Sequence, residues 1–116
     1  MKMTRSFRRY SVFESAESIA HTDEGFINVD TVVVDISRGG FNIKSDTYLP
    51  IGTSVLTMLP FIDTNGAEDI AVLTGKVSWS GWNEFFYSIG VTLKDEIITE
   101  YNQGLLNYFF RNGMQC

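Results

Sequence analysis

The chain has 116 residues, of which 44% are hydrophobic and 20% charged, and its net charge is −5. These values fit one soluble domain with one core, and no apolar run is long enough to cross a membrane. An acidic chain repels nucleic-acid backbones, so extended DNA or RNA binding is disfavoured. No secretory signal precedes the first strand, and the single cysteine is the last residue, so we expect a cytoplasmic protein without disulfides or a cysteine metal site.

Residues 1–10 are predicted to form a flexible basic arm. Lys2, Arg5, Arg8 and Arg9 give the first nine residues a charge of +4, which leaves −9 for the rest of the chain. Arg5 and Arg9 are spaced as Arg-x-x-x-Arg, and two guanidinium groups on one short segment can bind phosphates and stack on bases. A solubilising tail explains the charge equally well.

Six short strands are predicted between residues 11 and 93, over 11–20, 26–37, 41–44, 53–62, 70–79 and 85–93. In the second strand, the two-residue alternation places Val33, Asp35 and Ser37 on one face. The Asn65-Gly66 pair predicts a tight hairpin between the fourth and fifth strands. Regularly spaced short strands favour an antiparallel β-barrel, which leaves no exposed strand edge.

After residue 94 the apolar spacing changes from two residues to four. Ile97, Tyr101, Leu105 and Phe109 predict a helix over residues 95–111 that covers one mouth of the barrel. Its aromatic face leaves a homodimer surface as the alternative. The fold class predicted for residues 1–116 is therefore a single all-β domain, a six-stranded antiparallel β-barrel with a C-terminal α-helix.

Residues 35–40, Asp-Ile-Ser-Arg-Gly-Gly, follow an apolar run and combine an acid, a hydroxyl, a base and two glycines. The side chains of Asp35 and Ser37 would project together, and a carboxylate can accept both donors on the edge of a guanine. Gly39 and Gly40 permit positive φ angles and a close approach of backbone amides to an anion. A hairpin turn without any ligand accounts for the same residues.

Neither catalysis nor metal binding is predicted. His21, the one histidine, lies in a predicted turn and has no recognisable nucleophile motif around it. The acidic pairs at 23–24, 68–69 and 95–96 suit solvated surfaces better than a cation loop, which needs more oxygen ligands in ordered spacing. We therefore expect a binding protein without a cofactor rather than an enzyme.

The two motifs together resemble the PilZ domain, the bacterial receptor for cyclic di-GMP. That family is marked by Arg-x-x-x-Arg and, some tens of residues later, by Asp/Asn-x-Ser-x-x-Gly. This sequence has Arg5-Ser-Phe-Arg-Arg9 and then Asp35-Ile-Ser-Arg-Gly-Gly40, in that order. Residues 51–53, 75–79 and 89–91 also look like the later strands of the family, so the resemblance extends to about residue 93.

The resemblance implies a non-enzymatic receptor with the barrel-plus-helix fold. By analogy, Arg5 and Arg9 would bind the phosphates of cyclic di-GMP and stack on guanine. Asp35 and Ser37 would recognise guanine and help to hold the phosphate side, and Gly40 would keep the turn open to the ligand. The auxiliary positions are Arg8, Arg38, Gly39 and Trp79. Trp79 is equally well explained as a core aromatic residue.

The mechanism implied is that the ligand orders the arginine arm over the barrel and changes a surface that an effector protein binds in trans. Motility, biofilm formation and exopolysaccharide synthesis are the processes compatible with the family. One alternative is a PilZ-like adaptor that binds protein but no nucleotide, and another is a nucleic-acid-binding barrel that stacks bases on Trp79 or Trp82. Thr4 stands where members that bind two ligands often carry arginine, so the number of ligands per chain stays open.

Overall fold

The structure is a computed structural model that describes residues 9–63, 65–94 and 114–115, and its regular elements there are all strands. The strands are β1 (Tyr10–Thr22), β2 (Gly25–Ile36), β3 (Gly40–Ser45), β4 (Ser54–Ile62), β5 (Glu68–Trp82), β6 (Tyr87–Leu93) and β7 (Met114–Gln115). The six predicted strands are confirmed, with ends that differ from the prediction by at most three residues. The helix expected over 95–111 lies outside the described residues. No helix of the described residues is long and apolar enough to span a membrane.

One antiparallel sheet contains all the strands, in the order β2-β3-β6-β5-β4-β1-β7, with a further pairing between β1 and β2. Residues Glu17 to His21 of β1 pair with β2 along one edge and with β4 along the other. The pairings of β1 to β6 therefore form a complete circuit in which each strand has a neighbour on both sides. The unpredicted β7 pairs with Tyr10 and Ser11 at the start of β1.

Alternate residues of the strands point to one face of the sheet, and the core lies on that face. Its largest fully buried apolar side chains are Phe41, Ile36, Ile43, Leu49, Leu59 and Ile89. Three buried hydroxyl groups join β1, β2 and β4 within this core: the Ser18 hydroxyl lies 2.7 Å from that of Thr57 and 2.9 Å from that of Thr31. Thr31 in turn donates a hydrogen bond to the backbone carbonyl of Ala16. The buried hydroxyls are thus paired with one another, as buried polar groups must be to avoid a desolvation cost.

The β4–β5 connection contains the predicted Asn-Gly turn. Gly66 has a φ of +83°, a conformation that costs a glycine little. The Asp63 carboxylate accepts hydrogen bonds from the backbone amides of Asn65 and Ala67. The hairpin expected from the sequence is therefore present, but residues 63–67 form a five-residue connection rather than a two-residue turn.

The strand alternation predicted for β2 is wrong at its end, because a β-bulge interrupts it. Val33 pairs with Ile43, but the next pair is Asp35 with Asn42, so Val34 is an extra residue in β2. Val33 and Ile36, three positions apart, are both fully buried, and Asp35 between them points away from the core. The expectation that Val33, Asp35 and Ser37 share one face therefore fails.

Candidate ligand-binding site

Residues 37–40 form the turn that connects β2 to β3. The Ser37 amide donates a 2.8 Å hydrogen bond to the Gly40 carbonyl, and the Ser37 hydroxyl donates to the same carbonyl at 3.3 Å. That hydroxyl also accepts a hydrogen bond from the Gly39 amide. Ser37 is 7% exposed. The hydroxyl expected to contact a ligand is thus used within the turn itself.

Both glycines of the turn contact β6. A Cβ on Gly40 would lie 2.5 Å from the backbone oxygen of Val91 on β6, so β3 and β6 approach too closely for a side chain at this position. Gly39 accepts a 3.0 Å hydrogen bond from the Leu93 amide. Among the glycines that the structure describes, those with positive φ are Gly25, Gly52 and Gly66, so the positive φ expected at residues 39 and 40 is not found.

Asp35 is the centre of the site. Its Oδ1 accepts a 2.8 Å charged hydrogen bond from Nη1 of Arg9, 26 positions earlier in the chain. The same oxygen accepts a 2.8 Å hydrogen bond from Nδ2 of Asn42 on β3. The Arg9 side chain is 47% exposed and that of Asp35 16%. Arg9 is therefore accessible to a ligand while it contacts a carboxylate that is largely covered.

Asn42 was not identified from the sequence, although a signal for it was available. In a hairpin, residues equally distant from the turn pair with each other. A count outward from residues 37–40 pairs Ile36 with Phe41 and then Asp35 with Asn42, which is the observed register.

Trp79 lies on the outer face of the sheet, 46% exposed, and is not a core residue. A β-bulge in β5 produces this orientation, because Val77 pairs with Val91 and the next pair is Trp79 with Gly90. A Cβ on Gly90 would collide with Nε1 of the Trp79 indole, so the ring rests directly against the glycine.

Four residues with these contacts are successive cross-strand partners. Asp35 of β2 pairs with Asn42 of β3, Asn42 with Gly90 of β6, and Gly90 with Trp79 of β5. We call these residues the cross-strand row. With strands about 4.8 Å apart, the row extends roughly 14 Å across the sheet. It carries a carboxylate at one end, an amide next to it and an exposed indole at the other end.

A comparison with models of known protein families identifies the family of this chain. Residues 3–111 match the model of the PilZ domain. The chain belongs to the PilZ domain family. PilZ domains are generally non-enzymatic receptors for cyclic di-GMP. No curated protein sequence matches the chain.

A solved structure with the same fold is the Bacillus subtilis inhibitor of motility, MotI/DgrA. It has a TM-score of 0.63 and 17% identity to this PilZ domain, over 95% of this chain. The chain spans about half of that structure, 51% of its length. At such identity the likeness shows the fold alone.

Within this PilZ domain, the structure brings together one residue from each family motif, Arg9 and Asp35. Arg38 is exposed on the turn between β2 and β3. Lys44, two positions after Asn42 on β3, lies with its Nζ 4.5 Å from the ring centre of Phe86. Of these basic side chains, Arg9 contacts the row directly, while Arg38 and Lys44 belong to the adjacent turn and to β3. The remaining predicted arm residues, Arg5 and Arg8, lie outside the described residues, as does Thr4.

The residues considered for catalysis or metal binding are the single histidine and the acidic side chains. His21 stacks on Phe26 with ring centres 4.6 Å apart, at the end of the β1–β2 hairpin. Among the residues that the structure describes, no group of three or more His, Cys, Asp and Glu side chains could hold a metal ion.

Proposed function

We propose that this PilZ domain is a non-enzymatic cyclic di-GMP receptor that acts on an effector protein in trans. The observation that carries the proposal is the 2.8 Å contact between Arg9 and Asp35. It joins the two motifs on the outer face of the sheet, where a ligand with phosphates and guanines would find both an arginine and a carboxylate. Trp79 adds an exposed aromatic surface to the same face.

The proposed roles follow the position of each residue. Arg5 and Arg9 bind the phosphates, since guanidinium groups form paired hydrogen bonds to phosphate oxygens. Asp35 accepts hydrogen bonds from guanine, and Trp79 packs against a base. Ser37, Gly39 and Gly40 maintain the turn that places Asp35 at its end. Arg8 and Arg38 are auxiliary positive charges.

The proposed switch is an exchange of partners. Without ligand, Arg9 neutralises Asp35. When cyclic di-GMP binds, the contact between Arg9 and Asp35 breaks. Arg9 then binds a phosphate of the ligand, and Asp35 binds the edge of a guanine. The arm of residues 1–10 is then drawn across the sheet, and the effector binds the surface created in this way.

Other features of the proposal concern the whole domain. We propose that the six-stranded circuit is the β-barrel expected from the sequence and that residues 95–111 form a helix at one of its mouths. The same aromatic helix is the proposed surface for a homodimer. The proposed location is the cytoplasm, and the processes are motility, biofilm or exopolysaccharide control.

A PilZ-like adaptor that binds no nucleotide is the second candidate. The Arg9–Asp35 pair supports it to the extent that Asp35 already has a charged partner without any ligand. In this case the arm would be a docking segment for protein alone.

Calorimetric titration with cyclic di-GMP separates the two candidates. The receptor predicts saturable heat, with one or two ligands per chain, and loss of that heat in Arg9→Ala. Arg9→Lys, which keeps the charge but not the planar fork, should bind with intermediate affinity. No heat at tens of micromolar ligand would leave only the adaptor.

A further inference from the structure

Asn42 orients the Asp35 carboxylate. Its Nδ2 donates to Oδ1 of Asp35 at 2.8 Å, and Nη1 of Arg9 donates to the same oxygen at the same distance. Two donors on one oxygen fix the rotation of a carboxylate, and neither of them contacts Oδ2. When Arg9 leaves for a phosphate, the Asn42 amide still donates to Oδ1, so Oδ2 is the oxygen that remains for another donor on this face of the sheet.

The other end of the Asn42 amide is an acceptor. Because Nδ2 is directed at Asp35, the carbonyl oxygen Oδ1 on the same carbon points elsewhere. Within residues 9–63 and 65–94, no group donates a hydrogen bond to this oxygen. Asn42 is half-buried, and its oxygen is not among the buried unpaired atoms of the described residues, so it is accessible from outside.

Two acceptors thus stand on neighbouring strands, Oδ2 of Asp35 and Oδ1 of Asn42. Directly paired residues on neighbouring strands have Cβ atoms about 5 Å apart, so both oxygens can face one base. Guanine offers two adjacent donors on its pairing edge, the N1–H and the 2-amino group. Adenine has an acceptor at N1, which would face an acceptor of the protein without a proton between them.

We propose that Asn42 is a base-recognition residue, whose Oδ1 accepts a hydrogen bond from the 2-amino group of guanine while Asp35 accepts one from N1–H. The inference rests on the proposed function and extends it, because it assigns the choice of guanine to a residue outside both family motifs. Gly90 and Trp79 continue the row beyond Asn42 and supply the flat apolar surface on which the base lies.

The test compares two ligands that differ in one group. Cyclic di-IMP carries hypoxanthine in place of guanine and lacks only the 2-amino group. Wild-type protein should bind cyclic di-IMP roughly tenfold more weakly than cyclic di-GMP, the usual effect of one hydrogen bond. Asn42→Ala should bind both ligands with equal, reduced affinity. Asn28→Ala, which removes an exposed asparagine from β2 away from the row, should retain the wild-type ratio.

The ratio of the two affinities shows whether Asn42 binds the base itself or only positions Asp35. If Asn42 only holds Asp35 in place, Asn42→Ala weakens both ligands and keeps the tenfold ratio, and the inference is overturned. Asn42→Val, which retains a residue type favoured in strands but has no hydrogen-bond acceptor in its side chain, repeats the test if the alanine variant does not fold.

The proposed function is tested separately within the same experiment. If wild-type protein binds neither ligand, the receptor proposal and the role of Asn42 both fail. If the wild type binds cyclic di-GMP, Asp35→Ala loses it and Asn42→Ala keeps the wild-type ratio, the receptor stands and only the role of Asn42 fails.

Discussion

Asp35 combines two roles that are usually separate, since it is a partner of Arg9 and also the proposed acceptor for a ligand. Its position depends on the bulge at Val34, which turns it outward while Ile36 enters the core. A carboxylate at 16% exposure that accepts two hydrogen bonds is held in one orientation. Arg9 and Asn42 together therefore set the orientation of this carboxylate.

Asp35→Ala should weaken cyclic di-GMP binding at least tenfold without unfolding the protein. Hydrogen bonds to a charged group contribute about 1.5–3 kcal/mol, which corresponds to roughly 10- to 150-fold in affinity. The measurement is calorimetry at fixed salt, with Asp30→Ala as the control, because Asp30 is an exposed acid on the same strand. Wild-type affinity in Asp35→Ala would contradict the assigned role.

Gly90→Ala should displace the Trp79 indole from the sheet, since the new methyl group would occupy the position of the ring. Tryptophan fluorescence should shift toward that of a solvated indole, and affinity for cyclic di-GMP should fall. Gly81→Ala is the control, because its Cβ would make only an ordinary 3.9 Å contact with the same ring. Equal spectra for Gly90→Ala and the wild type would exclude this packing of Trp79.

At the scale of the elements, the turn of residues 37–40 and its attachment to β6 determine how β3 is placed. The Gly39 carbonyl bonds the Leu93 amide, and Gly40 pairs with Thr92. These contacts fix β3 between β2 and β6, so that Asn42 lies between Asp35 and Gly90. The motif glycine is thus required by strand packing, whatever the ligand does.

Gly40→Ala should destabilise the fold by about 1–3 kcal/mol, the usual effect of forcing extra volume into a packed site. The new Cβ would approach the backbone oxygen of Val91, which cannot rotate away as a side chain could. Thermal unfolding measures the loss, with Gly81→Ala as the control. A variant with wild-type stability and no ligand binding would show instead that Gly40 faces the ligand.

Ser18→Ala should cost about 1–3 kcal/mol of unfolding free energy, because it leaves the fully buried hydroxyl of Thr57 without its partner. Thr31 keeps its bond to the Ala16 carbonyl, so the loss should be confined mainly to the contact between β1 and β4. Ser15→Ala, at an exposed position of the same strand, is the control. Equal denaturation midpoints for the two variants would contradict the assigned contribution of the hydroxyl pair.

For the whole molecule, the strands β1 to β6 form one closed circuit of pairings. Each strand of the circuit is paired on both sides. The cross-strand row lies on the outside of this circuit and takes residues from four of its strands. A ligand bound along the row would therefore connect β2, β3, β6 and β5, and it would also contact the arm through Arg9.

Saturating cyclic di-GMP should raise the thermal midpoint of the protein. A ligand at 100 times its Kd stabilises the folded state by about 2.7 kcal/mol, which for a domain of this size is roughly 10 °C. Differential scanning calorimetry at several ligand concentrations measures the effect. The shift of the midpoint in Asp35→Ala should be about half as large or smaller at the same concentrations, because a tenfold weaker ligand stabilises by about 1.4 kcal/mol. A wild-type midpoint that does not move would contradict the receptor proposal.

The sequence by itself determined the strand content, the turn at Asn65-Gly66 and the two motif segments. These depend on local patterns, namely apolar spacing, turn residues and short motifs, which are visible in a few adjacent residues. It also determined that Arg9 and Asp35 belong to one candidate site, but only through the family resemblance. No local pattern relates residues 26 positions apart.

Only the tertiary structure decided which way the site residues face. The bulges at Val34 and Ser78 insert residues that are ordinary in strands, so no sequence signal marks them, yet each reverses the alternation that follows it. For this reason Asp35 and Trp79 face outward. Ser37 is enclosed by the hydrogen bonds of its turn, and Gly40 is required because the backbone of β6 lies against it. Asn42 joins the site because β3 pairs with β2 and β6 at the same time, and strand neighbours on both sides are a property of the assembled sheet.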